Sequence, residues 1–178
     1  MKNILLVILL SINSNIEQIY AQELKIGYTT TDYILSFLPE TKQVQSEVQA
    51  YGTQLQNQLQ SKITDFQSKA DAFQKTAATM TDLIRADKQE ELQNLQASIQ
   101  KFQNEAQTSI VQKEQDLFKP LFEKISNAIN VVSEREKFTH VFSAGVPGVD
   151  VLLYAKPSDD ISNLVLAELG IDPPPANN

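Results

Sequence analysis

Residue types that carry out enzymatic chemistry are scarce in this chain of 178 residues. It contains a single histidine, His140, and no cysteine. A zinc site and a Cys/His nucleophile would therefore lack members, and a Ser/His/Asp nucleophile would depend on His140 alone. His140 stands among apolar residues in a predicted strand, and we interpret it as a structural residue. The sequence predicts no catalytic residue, no metal site and no cofactor.

Two pairs of adjacent carboxylates are the remaining candidates for acid–base chemistry. The pair Asp159–Asp160 precedes a predicted helix, where carboxylates cap N–H groups and interact favourably with the helix dipole. The pair Glu90–Glu91 lies beside Lys88 on another predicted helix, which is typical of a solvated charged face. The segment Gly145–Gly148 is no phosphate loop, because neither Lys-Ser/Thr nor a helix follows it. We expect a protein that is not an enzyme and acts by binding.

Residues 39–135 are organised by a narrow apolar stripe. Apolar residues recur there at steps of three and four, which is typical of a coiled-coil seam. The stripe comprises Val44, Val48, Tyr51, Leu55, Leu59, Ile63, Phe66, Ala70, Phe73, Ala77 and Met80, and then Leu92, Leu95, Ile99, Phe102, Ala106, Ile110, Leu117, Leu121, Ile125, Ala128 and Val132. It breaks at residues 81–85. We therefore expect two antiparallel helices of roughly 40 residues, each about 60 Å long.

The spacing of the two half-stripes also predicts which residues face each other. It places Phe66 opposite Phe102 and Tyr51 opposite Leu117, with a tight helical corner near Ile84 that contains neither Gly nor Pro.

Pro120 interrupts the second predicted helix. It removes the hydrogen bond to the carbonyl of Asp116 and bends the axis, so we expect a hinge there. Around it the stripe widens to include Phe118, Phe122 and Ile129, which predicts that this end packs on elements besides the first helix.

Residues 22–38 and 136–172 predict a β-rich body. The predicted elements are strands at 23–29, 137–144 and 149–155 and a helix at 161–169. The last strand is apolar on both faces, and one small helix covers only one of them. Its other face and the strand edges are expected to meet other subunits. The expected oligomer interface contains Ile26, Tyr28, Val151, Leu152 and Tyr154. The predicted fold is α+β, mainly α: a helical-hairpin tentacle on a small β-barrel body formed by oligomerisation.

The N-terminal residues predict export. Lys2 precedes the apolar run at residues 4–10, which suits a secretory signal peptide over residues 1–21, cleaved near Ala21. The alternative is a cytosolic protein with an apolar N-terminal strand.

A net charge of −7 argues against nucleic acid as a partner. We expect a soluble exported protein without stable membrane insertion, and a disordered tail at residues 173–178.

This order of elements resembles the Skp/OmpH family of periplasmic chaperones. The resemblance is carried by Lys25-Ile26-Gly27-Tyr28, Pro39-Glu40, Pro120, Val151-Leu152-Leu153-Tyr154-Ala155, Asp159-Asp160-Ile161-Ser162 and residues 164–170. It implies a jellyfish-shaped homotrimer in the periplasm, whose three tentacles enclose unfolded outer-membrane proteins and prevent their aggregation without ATP. The best-known members have basic tentacle ends, whereas the end of this hairpin is acidic. That difference argues against direct binding to anionic membrane or lipopolysaccharide.

Two functions remain open on the sequence. The first is a holdase chaperone, for which Met80, Leu83 and Ile84 near the corner are candidate client contacts, although they could instead only pack the corner. The second is a structural or adaptor coiled coil of the cell envelope. An efflux adaptor would need paired lipoyl-like halves, which the flanks are too short to supply.

Overall fold

The computed structural model describes residues 24–145 and 152–174. Its elements follow the order β1 (Ile26–Thr29), α1 (Thr31–Phe37), α2 (Pro39–Thr76), α3 (Asp82–Glu136), β2 (His140–Ser143) and α4 (Ser162–Glu168), with short 3₁₀ turns at Ala77–Thr79 and Pro157–Asp159. We call α2 and α3 the arms. The remaining elements gather with the base of both arms and form what we call the head.

The predicted pair of long antiparallel helices is confirmed. α2 starts with Pro39. Because N–H groups in the first turn of a helix have no partner within the helix, the N–H that proline lacks is not missed there. α3 starts after Thr81, whose side-chain oxygen accepts from the N–H of Ile84 at 3.4 Å. All residues of the predicted stripe are buried or half-buried, whereas the positions between them are mostly exposed. The periodicity therefore identified the contact face of both arms.

The predicted corner and register are wrong. The chain turns at residues 77–81, so Ile84 lies in the first turn of α3. Tyr51 is hydrogen-bonded to Ser109 at 2.7 Å, eight residues from the Leu117 that we predicted opposite it. A seam that repeats every seven residues still matches after a shift of about two helical turns. Polar contacts at the corner fix the true offset, and the apolar spacing does not encode them.

The fully buried core lies in the head. It joins α1, the base of both arms and α4, through Ile34, Leu35, Leu38, Val44, Leu121, Ile125, Ala128, Val132, Ile161, Val165 and Leu166. The widened stripe beyond Pro120 does pack on further elements, as predicted, because Ile125 and Val132 are covered within this cluster. Phe122 stays 46% exposed.

Among the described residues, the sheet of the head has two strands, where the sequence predicted three. β1 and β2 pair in parallel, from Ile26 with His140 to Thr29 with Ser143. Of the predicted third strand, residues 149–151 lie outside the described residues, and 152–155 form no strand. Among the residues described, 152–155 form no ladder pairing with a neighbouring strand, and a strand requires such pairing. The predicted signal peptide, residues 146–148 of the predicted turn and the tail from residue 175 also lie outside them.

Candidate functional site

A groove on the head brings together most of the predicted interface residues. It has a volume of about 390 Å³, and its lining includes Ile26, Tyr28, Phe142, Leu152 and Tyr154. Val151, the remaining predicted interface residue, lies outside the described residues. Tyr154 is 82% exposed and Ile26 is 41% exposed. The head groove therefore presents aromatic and aliphatic side chains that nothing in the described chain covers.

The alternation of β1 explains why these side chains point outward. Gly27 and Thr29 face the head: a Cβ on Gly27 would lie 3.0 Å from Phe138, and the Thr29 hydroxyl contacts that of Ser162 at 2.8 Å. Successive side chains of a strand point to opposite faces, so Ile26 and Tyr28 face the groove.

Tyr28 is the titratable group of β1 in this groove. Burial raises the pKa of its hydroxyl, and the nearby carboxylates of Asp160 and Asp159 raise it further. The hydroxyl therefore stays protonated and can donate a hydrogen bond. The carboxylate of Asp160 also caps the last helix, because it accepts from the N–H of Ser162 at 2.8 Å. Asp160 thus takes the capping role that the sequence predicted for the pair, whereas Asp159 accepts from the hydroxyl of Ser158 at 3.2 Å.

The three candidate client contacts divide into two kinds. Met80 is half-buried and lines a small cavity between the arms with Phe73 and Leu92. It packs the corner, as the second interpretation proposed. Leu83 is 74% exposed and Ile84 is 48% exposed. These two side chains are free to meet another molecule.

Arg85 holds the corner together, and the sequence analysis did not identify it. Its guanidinium donates to the carbonyl oxygens of Ala77 and Met80 and to the carboxylate of Asp82, each at 3.2 Å. Those carbonyls belong to the residues just after α2, where the helical bonding pattern ends. The sequence did contain a signal for this role: an arginine follows a corner that has no glycine to cap the end of the first arm.

Two ion pairs join the arms at opposite ends. Near the corner, Glu91 contacts Lys88 at 2.7 Å and Lys69 of the other arm at 2.9 Å. The hydrogen bond from Lys88, followed by that from Lys69, lowers the pKa of Glu91 to about 2. At the base, Lys124 donates to Glu40 at 2.6 Å, and this bond lowers the pKa of Glu40.

Pro120 lies inside α3, which continues without a break from Asp82 to Glu136. The rings of Phe118 and Phe122 lie on either side of it, with centroids 6.1 Å apart. One turn further, Lys124 forms its pair with the other arm. The head side of Pro120 is thus fixed by buried residues and an ion pair. On the other side the arms are joined by the half-buried seam, the hydrogen bond of Tyr51 with Ser109 and the ion pair of Lys69 with Glu91.

Other candidates for chemistry stay apart. His140 is exposed and stacks on Phe142, with ring centroids 6.4 Å apart. Across residues 24–145 and 152–174, histidines and carboxylates nowhere form a group of three that could hold a metal ion. Within the same ranges, every helix is too short or too polar to cross a membrane.

Comparison with known proteins agrees with this architecture. The family model described as outer membrane protein (OmpH-like) matches residues 25–169. A crystal structure of a candidate outer membrane chaperone (OmpH-like) from Caulobacter crescentus CB15 shares the fold, with a TM-score of 0.69 at 16% identity. The similarity covers 82% of this chain and 83% of that one. No curated protein matches the sequence. The resemblance drawn from the sequence is therefore confirmed, and the chain belongs to the OmpH-like family.

Proposed function

We propose that this protein is an ATP-independent holdase chaperone that binds unfolded outer-membrane proteins in the periplasm and prevents their aggregation. The observation that carries the proposal is the pair of arms. They extend from the head and, beyond its core, pack on each other along a half-buried seam, with no other described element covering them. Membership of the OmpH-like family, and the chaperone description of the Caulobacter structure, support the same function.

The proposed assembly is a homotrimer joined through the head groove. The exposed side chains of Ile26, Phe142 and Tyr154 and the half-buried Tyr28 are suited to pack against a neighbouring subunit. Leu152–Tyr154 would pair as a strand of a shared β-barrel. Three pairs of arms would then stand around one space. Their outward surfaces are mostly polar, so single contacts with a client are weak. Many such contacts still hold a client, because arms tethered to one body act at high effective concentration.

Pro120 is proposed as the hinge of each arm. The missing backbone hydrogen bond lowers the resistance to bending at this point. The ion pair between Lys124 and Glu40 lies on the head side of it, so bending there spreads the arms without opening the head.

The function is tested by diluting urea-unfolded outer-membrane β-barrel proteins into buffer that contains the purified mature protein and no nucleotide. We expect light scattering from aggregates to fall as the protein is added, with saturation near one trimer per client. If several such clients aggregate unchanged at a molar excess of trimer, the structural or adaptor coiled coil becomes the better interpretation.

The assembly is tested separately by light scattering and sedimentation. The wild-type protein should have about three times the monomer mass, and Leu152→Asp or Tyr154→Asp should reduce it to the monomer or prevent folding. The matched control is Leu164→Asp, which alters a partly exposed leucine of α4 outside the groove. A compact wild-type monomer at micromolar concentration would overturn the proposed trimer.

A further inference from the structure

The tip of the hairpin carries an exposed apolar pair, and the unpaired charges near it are mainly carboxylates. We define the tip as residues 71–91, the corner with the adjoining turns of both arms. Leu83 and Ile84 lie in the first turn of α3, and both point away from the seam. Met80, by contrast, is half-buried and lines the small cavity between the arms. Covering the pair therefore requires a second molecule.

The charges of the tip are divided between paired and unpaired groups. Arg85 is held by Asp82 and two carbonyls, and Lys88 is held by Glu91. Asp71, Asp87 and Glu90 form no ion pair within the described chain. Among the cations of the tip, Lys75 alone also forms none there. The surface around the apolar pair is therefore negative.

Two of the three unpaired carboxylates, Asp87 and Glu90, share one face of α3 with the apolar pair. Leu83, Asp87 and Glu90 are spaced by four and three residues, which places them along one stripe of the helix. The stripe continues into a shallow depression of about 490 Å³ whose lining includes Asp87, Glu90 and Asn94. An extended peptide laid along this face would meet apolar side chains first and carboxylates next.

We propose that the tip binds extended client segments in which apolar residues alternate with lysine or arginine. The inference rests on the proposed holdase function and adds a client preference to it. The apolar side chains of the segment cover Leu83 and Ile84, and its cations neutralise Asp87 and Glu90. Acidic segments and anionic lipid surfaces are repelled by the same carboxylates, since like charges at an interface oppose binding.

The test uses three fluorescent 12-residue peptides: leucine and valine alternating with lysine, the same apolar residues alternating with glutamate, and serine alternating with lysine. Anisotropy at low salt with the full-length mature protein should rank the apolar–basic peptide tightest, by about tenfold over each of the others. Raising the salt concentration should remove most of the difference between the lysine and glutamate peptides, because exposed charges are screened.

Variants assign the preference to the tip. Asp87→Lys/Glu90→Lys should reverse the order of the apolar–basic and apolar–acidic peptides, and Leu83→Ser/Ile84→Ser should weaken both. The matched controls are Glu114→Lys/Glu123→Lys and Val111→Ser, which make the same changes at exposed positions further along α3. They should leave the order and the affinities unchanged. Circular dichroism confirms that each variant is folded.

Three results would overturn the inference: equal affinity for the lysine and glutamate peptides, control variants that act like the tip variants, or tip-dependent binding to vesicles of anionic phospholipid. The aggregation assay separates this failure from failure of the proposed function. If wild type and Asp87→Lys/Glu90→Lys both suppress aggregation and neither discriminates among the peptides, the holdase function stands and the tip preference is wrong.

Discussion

Replacing Arg85 with alanine should loosen the corner between the arms. The side chain makes two hydrogen bonds to backbone carbonyls and one ion pair with Asp82. A hydrogen bond from a charged donor contributes about 1.5–3 kcal/mol, but Arg85 is 39% exposed, so we assign about 1 kcal/mol to each carbonyl contact. Asp82 is 98% exposed, and an ion pair with so exposed a carboxylate adds little to the stability of the corner. We expect Arg85→Ala to lower the local stability of the tip by about 2 kcal/mol.

Hydrogen exchange measures this effect where it occurs. Amides of residues 73–90 should lose protection in Arg85→Ala, while amides of the head keep theirs, because the corner opens locally without unfolding the core. Arg85→Lys should lose about half as much, since a single ammonium cannot reproduce the planar fork that reaches both carbonyls. The control is Lys101→Ala, which removes an exposed ion pair with Glu105 and should change little. Unchanged exchange in Arg85→Ala would show that apolar packing around Met80 fixes the corner instead.

Three further predictions concern acid stability, the head and the hinge. The pKa of Glu91 is lowered to about 2 in the folded protein, chiefly by Lys88, so the unfolded chain binds more protons than the folded chain as the pH falls from about 4.5 to about 2. Urea midpoints should therefore fall across that range, and fall less steeply in Glu91→Gln. Gly27→Ala should lower the free energy of unfolding by about 1 kcal/mol, and with it the thermal midpoint, because the new Cβ would crowd Phe138 at 3.0 Å. An unchanged midpoint would contradict this. Pro120→Ala should stabilise α3 by up to about 3 kcal/mol and narrow the spread of the arms in small-angle scattering, and an identical spread would mean that the proline has no mechanical role.

The contact face of the arms could be predicted because it depends on a repeated pattern. Each stripe position gives the same information, so a single exception such as the proline at residue 120 does not obscure it. The register could not be predicted in the same way, since a repeated pattern matches itself at several offsets. It depends on individual polar contacts, such as Tyr51 with Ser109 and Arg85 with the end of α2.

The head was harder to predict for a different reason. Its parallel pair joins β1 and β2 across more than 100 residues of sequence, and no turn signal announces such a pairing. The alternation of residues 24–28 nevertheless placed Ile26 and Tyr28 on one face. That local rule is why the structure gathers four of the predicted interface residues in one groove, although residues 152–155, the described part of the predicted third strand, form no strand.

The distribution of burial indicates which part of the molecule would deform around a client in the proposed holdase. No residue from Val48 to Leu117, all of which the structure describes, is fully buried, whereas α1, α4 and the base of both arms share a dense core. Stability is therefore concentrated in the head, and the arms belong to its low-stability end. Lys124 and Glu40 close the base just beyond Pro120, and Arg85 closes the far corner. Between these two fixed points the arms are joined by the half-buried seam and a few polar contacts, so thermal motion deforms them first. In the proposed trimer, a client that fills the space between the arms would therefore deform the arms, which are the least stable part of the fold, and leave the head unchanged.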